Sequence, residues 1–423
     1  RKIQKKIYDL ELNNFKKDYF IEIEQIAKNL PNNSVLLEYK RYFPLNIETN
    51  QYDFESPKYG VFILNSSGNL DYIDLGSAKD IENKLTTTLS SINNADVSEE
   101  INQNLIKELS RSLIYPLKKI ISSQETIYFS MDSFLNEVPI YALKNLDTGN
   151  YIAEEKNLRL ITTPKEIIRK DNKKILLKKP LIVANPNFNS NKKQKIETLN
   201  EFNSFKLKRS KKFSSRVWDL LPSTEEEGKS IAKITNGLLI TGNKATAERI
   251  QNITSPLILH IASHSYFNSE QDNEHPLIKS GVVLAGANVY KSNSIDDGLL
   301  TSLEFSKMNL EGTELVVISG CDSGKGFIKN GDNIYGLRRS ITVAGAKSSI
   351  LTLWPVNDSA TAAFMNQFYL YLESGLDRYD ALYKTQKDFR TGVIKSNDGD
   401  HWNEIYFWGA FQLSGAEGKI NLN

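Results

Sequence analysis

Between residues 181 and 413, short runs of almost wholly apolar residues alternate with stretches of helical periodicity. The apolar runs are Leu181–Ala184, Leu238–Ile240, Leu257–Ala262, Gly281–Leu284, Glu314–Ser319, Ser348–Leu353 and Phe407–Leu413. The helical stretches are Thr224–Thr235, Ala245–Ile250, Tyr335–Ala344, Ser359–Glu373 and Asp377–Thr391. A strand with one wet face alternates polar and apolar residues, whereas a strand without a polar face has to be covered on both sides. The pattern predicts an α/β fold, with mostly parallel sheet and helices on both faces. In such sheets functional groups collect beyond the carboxyl ends of the strands.

The first half is less regular. Residues 1–30 have near-helical apolar spacing through Ile3, Ile7, Leu10, Phe15, Tyr19, Ile23 and Ile26, ended by Pro31-Asn32-Asn33. Strands are expected at Val35–Tyr39, Tyr59–Leu64, Leu70–Leu75, Thr126–Ser130 and Leu158–Thr162, with helix over 77–122. Lys and Arg crowd residues 165–216, apart from the apolar island Pro180–Ala184. These features divide the chain into a helical lead-in at 1–33, a first half at 34–180 and a second half at 181–423. A basic, exposed linker is expected around 187–216.

Composition removes several functions. The 423 residues include one cysteine and four histidines, which excludes an intramolecular disulfide and a thiolate-rich zinc site. So few histidines and cysteines give no expectation of a metal, and no cofactor is expected, the chain having neither a GxxxxGK[ST] loop nor a GxGxxG fingerprint. No run reaches the roughly 18 apolar residues that span a bilayer, and no apolar signal region follows Arg1. The expectation is a cytoplasmic protein without membrane contact, read as part of a longer chain because it does not begin with Met. The balance of 53 basic against 51 acidic residues does not favour direct nucleic-acid binding, and aromatics are sparse in the basic stretch.

Two strand ends carry reactive side chains. Leu257–Ala262 is followed by Ser263-His264-Ser265, and Leu315–Gly320 by Cys321-Asp322-Ser323-Gly324. An imidazole beside a thiol favours thiolate, the nucleophilic form. Backbone amides at a small-residue turn can stabilise an oxyanion. The plain alternative is a buried cysteine acting as a small hydrophobe and a hydrogen-bonded histidine. His260 belongs to the apolar run, and alternation places it deeper than His264, facing the helix layer.

The segments His260–Asn268, Asp297–Thr301 with Glu304, Leu315–Gly324 and Tyr335–Asp358 resemble the CHAT-domain family, as do Phe368-Tyr369, Leu372, Gly375, Ala381-Leu382 and Trp408–Phe411. That family comprises caspase-like cysteine peptidases of clan CD, related to separases and often preceded by tetratricopeptide repeats. The resemblance implies a degenerate caspase-like half at 34–180, with a structural role for Asp132–Pro139, and an armed half at 181–423. It makes Cys321 the nucleophile, His264 the imidazole, and the amides of Ser265 and Cys321 the oxyanion donors. The family usually has Gly where this chain has Ser265, which is costly if the turn needs positive φ.

The segment Trp354–Asp358 resembles a separase stretch whose final Asp lines the pocket for a basic residue before the scissile bond. Asp358, with Asp322 nearby, is the candidate for that pocket; the alternative is that Asp358 caps the helix beginning near Ser359. The resulting expectation is a cysteine endopeptidase acting on a protein substrate and switched on by an upstream repeat array or a bound partner. Residues 265–280 and 322–334 would be the segments that rearrange. Family settings include CRISPR effector complexes and antiviral defence. The competing expectations are a catalytically silent caspase-like scaffold and a nucleic-acid binder using the basic linker.

Overall fold

The computed structural model of the protein describes residues 21–168, 177–190, 217–268, 275–289, 297–320, 323–324, 326–327, 335–396, 399 and 402–422. One 11-stranded sheet runs through it. In chain order its strands are β1 (Ser34–Tyr42), β2 (Lys58–Asn65), β3 (Leu70–Ser77), β4 (Thr126–Ser130), β5 (Asn157–Ile161), β6 (Leu181–Pro186), β7 (Leu238–Gly242), β8 (Ile258–Ala262), β9 (Leu315–Ile318), β10 (Ser348–Thr352) and β11 (Phe411–Gly415). Across the sheet the order is β3-β2-β1-β4-β5-β11-β10-β9-β8-β6-β7. The last five of these are parallel neighbours. β1, β4, β5 and β11 form a second parallel block, extended by antiparallel β2 and β3. The blocks meet at the antiparallel pair β10–β11, where Ile350 faces Leu413. The α/β class and mostly parallel sheet are as the sequence predicts.

The principal helices are α1 (Ile23–Asn29), α2 (Ala78–Ile92), α3 (Glu99–Leu113), α4 (Ser223–Ile234), α5 (Ala247–Gln251), α6 (Leu337–Val343), α7 (Asp358–Glu373) and α8 (Arg378–Arg390). Alternate residues of the same strands enter different cores. Ile182, Ile258, Val317 and Ile350 pack with Ile231 of α4 and Phe364 and Phe368 of α7. Val183, Leu259, Ile261, Val316, Ile318 and Leu351 pack with Ile250 of α5 and Leu337 and Ile341 of α6. Two-sided burial is why these strands lack a polar face. It also fixes their register, since a slip of one residue would exchange the two cores.

Two expectations need correction. Gly281–Leu284 is not in the main sheet: Ser280–Val283 is the middle strand of a separate antiparallel sheet, between Ser265–Phe267 and Leu299–Thr301. It reads as a core strand because Val282 enters the core beneath α5 while Val283 packs with Phe188 and Trp218. The pairing of Ser265–Phe267 also gives regular structure to the start of a segment expected to be irregular. The run Phe407–Leu413 begins in a helical turn, Ile405–Trp408, and becomes strand only at Phe411. That turn buries Ile405 and Trp408, so its apolar residues run on into the strand without a break. Of the expected lead-in helix, only Ile23–Asn29 falls among the described residues, and most of the basic stretch lies outside them. Among the described residues no helix is long and apolar enough to cross a membrane.

Phe364 of α7 stacks on Phe411 at 3.9 Å and contacts Phe389 of α8 at 5.2 Å, beneath the junction of the two blocks. Phe364→Ala should therefore cost about 3–5 kcal/mol. The midpoint of urea unfolding measures this, and an unchanged midpoint would contradict the packing described.

Candidate active site

The carboxyl ends of β6, β8, β9 and β10 lie on one edge of the sheet. From β6 the chain proceeds to β7 on one side and then to β8 on the other, so the strand order reverses at the β6–β8 crevice, where such sheets place their sites. His264 stands beyond β8 on this edge. Its ring contacts Phe188, just past β6, at 5.4 Å, and Trp218 at 5.3 Å. Its Nε2 is 2.9 Å from the backbone oxygen of Asp219. A carbonyl only accepts, so Nε2 carries the hydrogen, and Nδ1 is the basic nitrogen of the neutral ring.

Beyond β9 come Ser319 and Gly320. A Cβ on Gly320 would collide with the backbone oxygen of Ser263 and lie 3.1 Å from the amide nitrogen of Ser265. Only glycine lets these two strand ends approach so closely. The Ser265 amide therefore sits beside the residue that precedes Cys321. Ser265 is not among the residues with positive φ, so serine here carries no left-handed strain. Cys321 and Asp322 themselves lie outside the described residues.

Asp358 is the first residue of α7. The helix is capped not by Asp358 but by Asn357, whose Oδ1 accepts from the amides of Ser359 at 3.0 Å and Ala360 at 3.1 Å. That removes the capping explanation for the acid. Burial holds the Asp358 carboxyl above its usual range; His264 opposes this and the charge of Glu227 adds to it. His264, Ser319, Gly320 and Asp358 line one cavity, bounded on the helix side by Thr224 and Glu227.

Glu227 is buried, and its Oε1 accepts from Ser319 Oγ and lies against His260 Nε2, both at 2.9 Å. His260 Nδ1 is 3.2 Å from the hydroxyl of Tyr369. His260 thus faces the helix layer, as alternation requires, and is tied to α4 and α7. Among the described residues no group of His, Cys, Asp and Glu is arranged to hold a metal ion.

The CHAT domain family matches residues 103–416. The chain belongs to the CHAT domain family. The fold of this CHAT domain is similar to that in crystal structures of the Saccharomyces cerevisiae separase–securin complex. One agrees at 10% identity with a TM-score of 0.55, over 94% of this chain and 31% of that chain. A second agrees at 9% identity with a TM-score of 0.53, over 94% and 30%. The fold is therefore caspase-like. Tetratricopeptide repeat protein 28 of Mus musculus is 25% identical over 228 residues, which is 48% of this chain and 9% of that protein. Its Homo sapiens counterpart is 24% identical over the same shares. The chain thus spans only a small part of the relatives it matches.

Sequence reasoning singled out His264, Ser265 and Asp358 but missed Glu227, Trp218, Asp219 and Phe188. Glu227 carries a signal that was legible: Thr224, Glu227, Gly228 and Ile231 form the buried stripe of α4, so an acid occupies an inward helical position. Trp218 and Asp219 follow the basic stretch and have no local pattern. The hydrogen bond to Asp219 predicts that neutral His264 is the Nε2–H tautomer. Nitrogen-15 NMR of the imidazole at alkaline pH reads this directly, and an Nδ1–H ring would contradict the geometry.

Proposed function

We propose that this CHAT domain is a cysteine endopeptidase in which Cys321 attacks the scissile carbonyl and His264 moves the proton. The observation that carries the reading is the meeting of two strand ends. An imidazole oriented by a backbone carbonyl stands at one, and a glycine pressed against the Ser265 amide immediately precedes the cysteine at the other. In the first step the thiol proton passes to His264 and sulfur bonds to the carbonyl carbon. As the carbon–nitrogen bond breaks, His264 gives that proton to the leaving amine and a thioester remains. Water then attacks the thioester with His264 as base, releasing the carboxylate and regenerating the thiol. The amides of Ser265 and Cys321 would hold the oxyanion, a contribution of ~10²–10³ in kcat for one such donor.

Asp358 is assigned to the pocket for a basic residue preceding the cut bond. Its loss of the capping role and its place in the cavity with His264 support this. The half at 34–180 is read as the inactive caspase-like partner of the 181–423 half. Likeness to tetratricopeptide repeat proteins supports control by a repeat array or bound protein. The alternative, a silent scaffold, is disfavoured by the retention of both His264 and Cys321, which a decayed site has no reason to keep.

Labelling with an electrophilic peptide probe tests the reading, because the chain has one cysteine and any thiol adduct reports on it. Wild-type protein should be labelled, Cys321→Ala not at all, and His264→Ala at least about 100-fold more slowly. No adduct on the wild type, with or without candidate partners, would favour the scaffold.

A further inference from the structure

We propose that Glu227 is a second acid of the substrate pocket and, with Asp358, selects arginine or lysine before the scissile bond. This rests on the peptidase reading above and adds a specificity-determining residue to it.

Three observations converge. First, Glu227 and Asp358 come from the starts of two different helices, α4 and α7, yet line the same cavity as His264. Secondly, the hydrogen bonds to Glu227 fall on one oxygen. Ser319 Oγ donates to Oε1, and His260 Nε2 is at 2.9 Å from the same atom. A carboxylate oxygen only accepts, so the Nε2–H of His260 points at Glu227. The carboxylate is thus held at Oε1 by His260 of β8 and by Ser319 just past β9, no other hydrogen bond to it is formed among the described residues, and Glu227 lines the cavity. Thirdly, no lysine or arginine among the described residues forms an ion pair with Glu227, whose side chain is only 1% exposed; its ionisable partner is His260, which is charged only when protonated. Beside a neutral imidazole a buried carboxylate lacks a counter-charge, which is costly. The Glu227 charge also raises the Asp358 carboxyl, behind burial as the main cause, so the two acids repel across the cavity.

A cation between them relieves that repulsion. A guanidinium suits the place best: it is planar, permanently charged and can donate to two carboxylates at once. A lysine ammonium offers a more compact charge to the same pair. A neutral side chain leaves both acids desolvated and unpaired, which is how a charged pocket rejects it.

The test compares acyloxymethyl ketone peptide probes that differ only in carrying arginine or leucine at the residue before the electrophile. Wild-type protein should be labelled at least tenfold faster by the arginine probe. Glu227→Gln keeps an oxygen for His260 and Ser319, and it should reduce that preference tenfold or more, as should Asp358→Asn. Equal slowing of both probes in Glu227→Gln would make Glu227 a brace for Ser319 and overturn the inference, as would an unchanged preference. Calorimetry of agmatine binding to Cys321→Ala separates this inference from the peptidase reading. Agmatine binding weakened tenfold by adding Glu227→Gln supports the acidic pocket, even if no probe labels the wild type and the peptidase reading falls. Labelling without arginine preference and without agmatine binding overturns the pocket and leaves the peptidase.

Discussion

A strand buried on both faces can offer reactive groups only at its ends, and that constraint shapes this molecule. In the parallel block the large apolar side chains along β6, β8, β9 and β10 are committed to one of two cores. His260 is polar and fully buried among them, and it is accommodated because Glu227 and Tyr369 reach it from the helix layer. The groups that line the candidate site are displaced to the edge where the parallel strands finish. His264, Ser265, Ser319-Gly320 and Asp358 lie there for the same reason.

The site is tight because the strands are. Parallel neighbours lie about 4.8 Å apart, so residues just past β8 and β9 crowd one another. Gly320 is the compromise: without a side chain it admits the backbone of Ser263 and Ser265. The His260–Glu227–Ser319 bridge adds a polar link between β8, the start of α4 and the end of β9. A buried polar network of this kind is favourable only when its members are satisfied. Here it ties the floor of the cavity to the segment that leads into Cys321.

Much of this was legible from residue order. The apolar runs stated two-sided burial, and two-sided burial implied a covered, mostly parallel sheet with active strand ends. His264 and Asp358 could be placed at such ends because strands are short and their limits are marked by Ser, Gly and Asn. What stayed hidden were contacts made over long separations. Asp219 orients a ring 45 residues away, and Glu227 meets Ser319 across 92 residues. Ser280–Val283 was misplaced because burial on two sides looks the same in a central strand and in a small sheet sandwiched between two cores. The cap at Asn357 rather than Asp358 turned on a shift of one residue, within the ordinary uncertainty of helix boundaries.

The central claim is that Cys321 reacts in the frame set by His264 and the Ser265 amide. A crystal structure of the wild-type chain carrying a peptidyl ketone on its single cysteine tests it most directly. The account predicts the adduct carbonyl oxygen about 3 Å from the Ser265 amide nitrogen, with Nδ1 of His264 turned toward the sulfur. An adduct whose carbonyl points away from Ser265, or whose sulfur lies beyond the reach of His264, would contradict it.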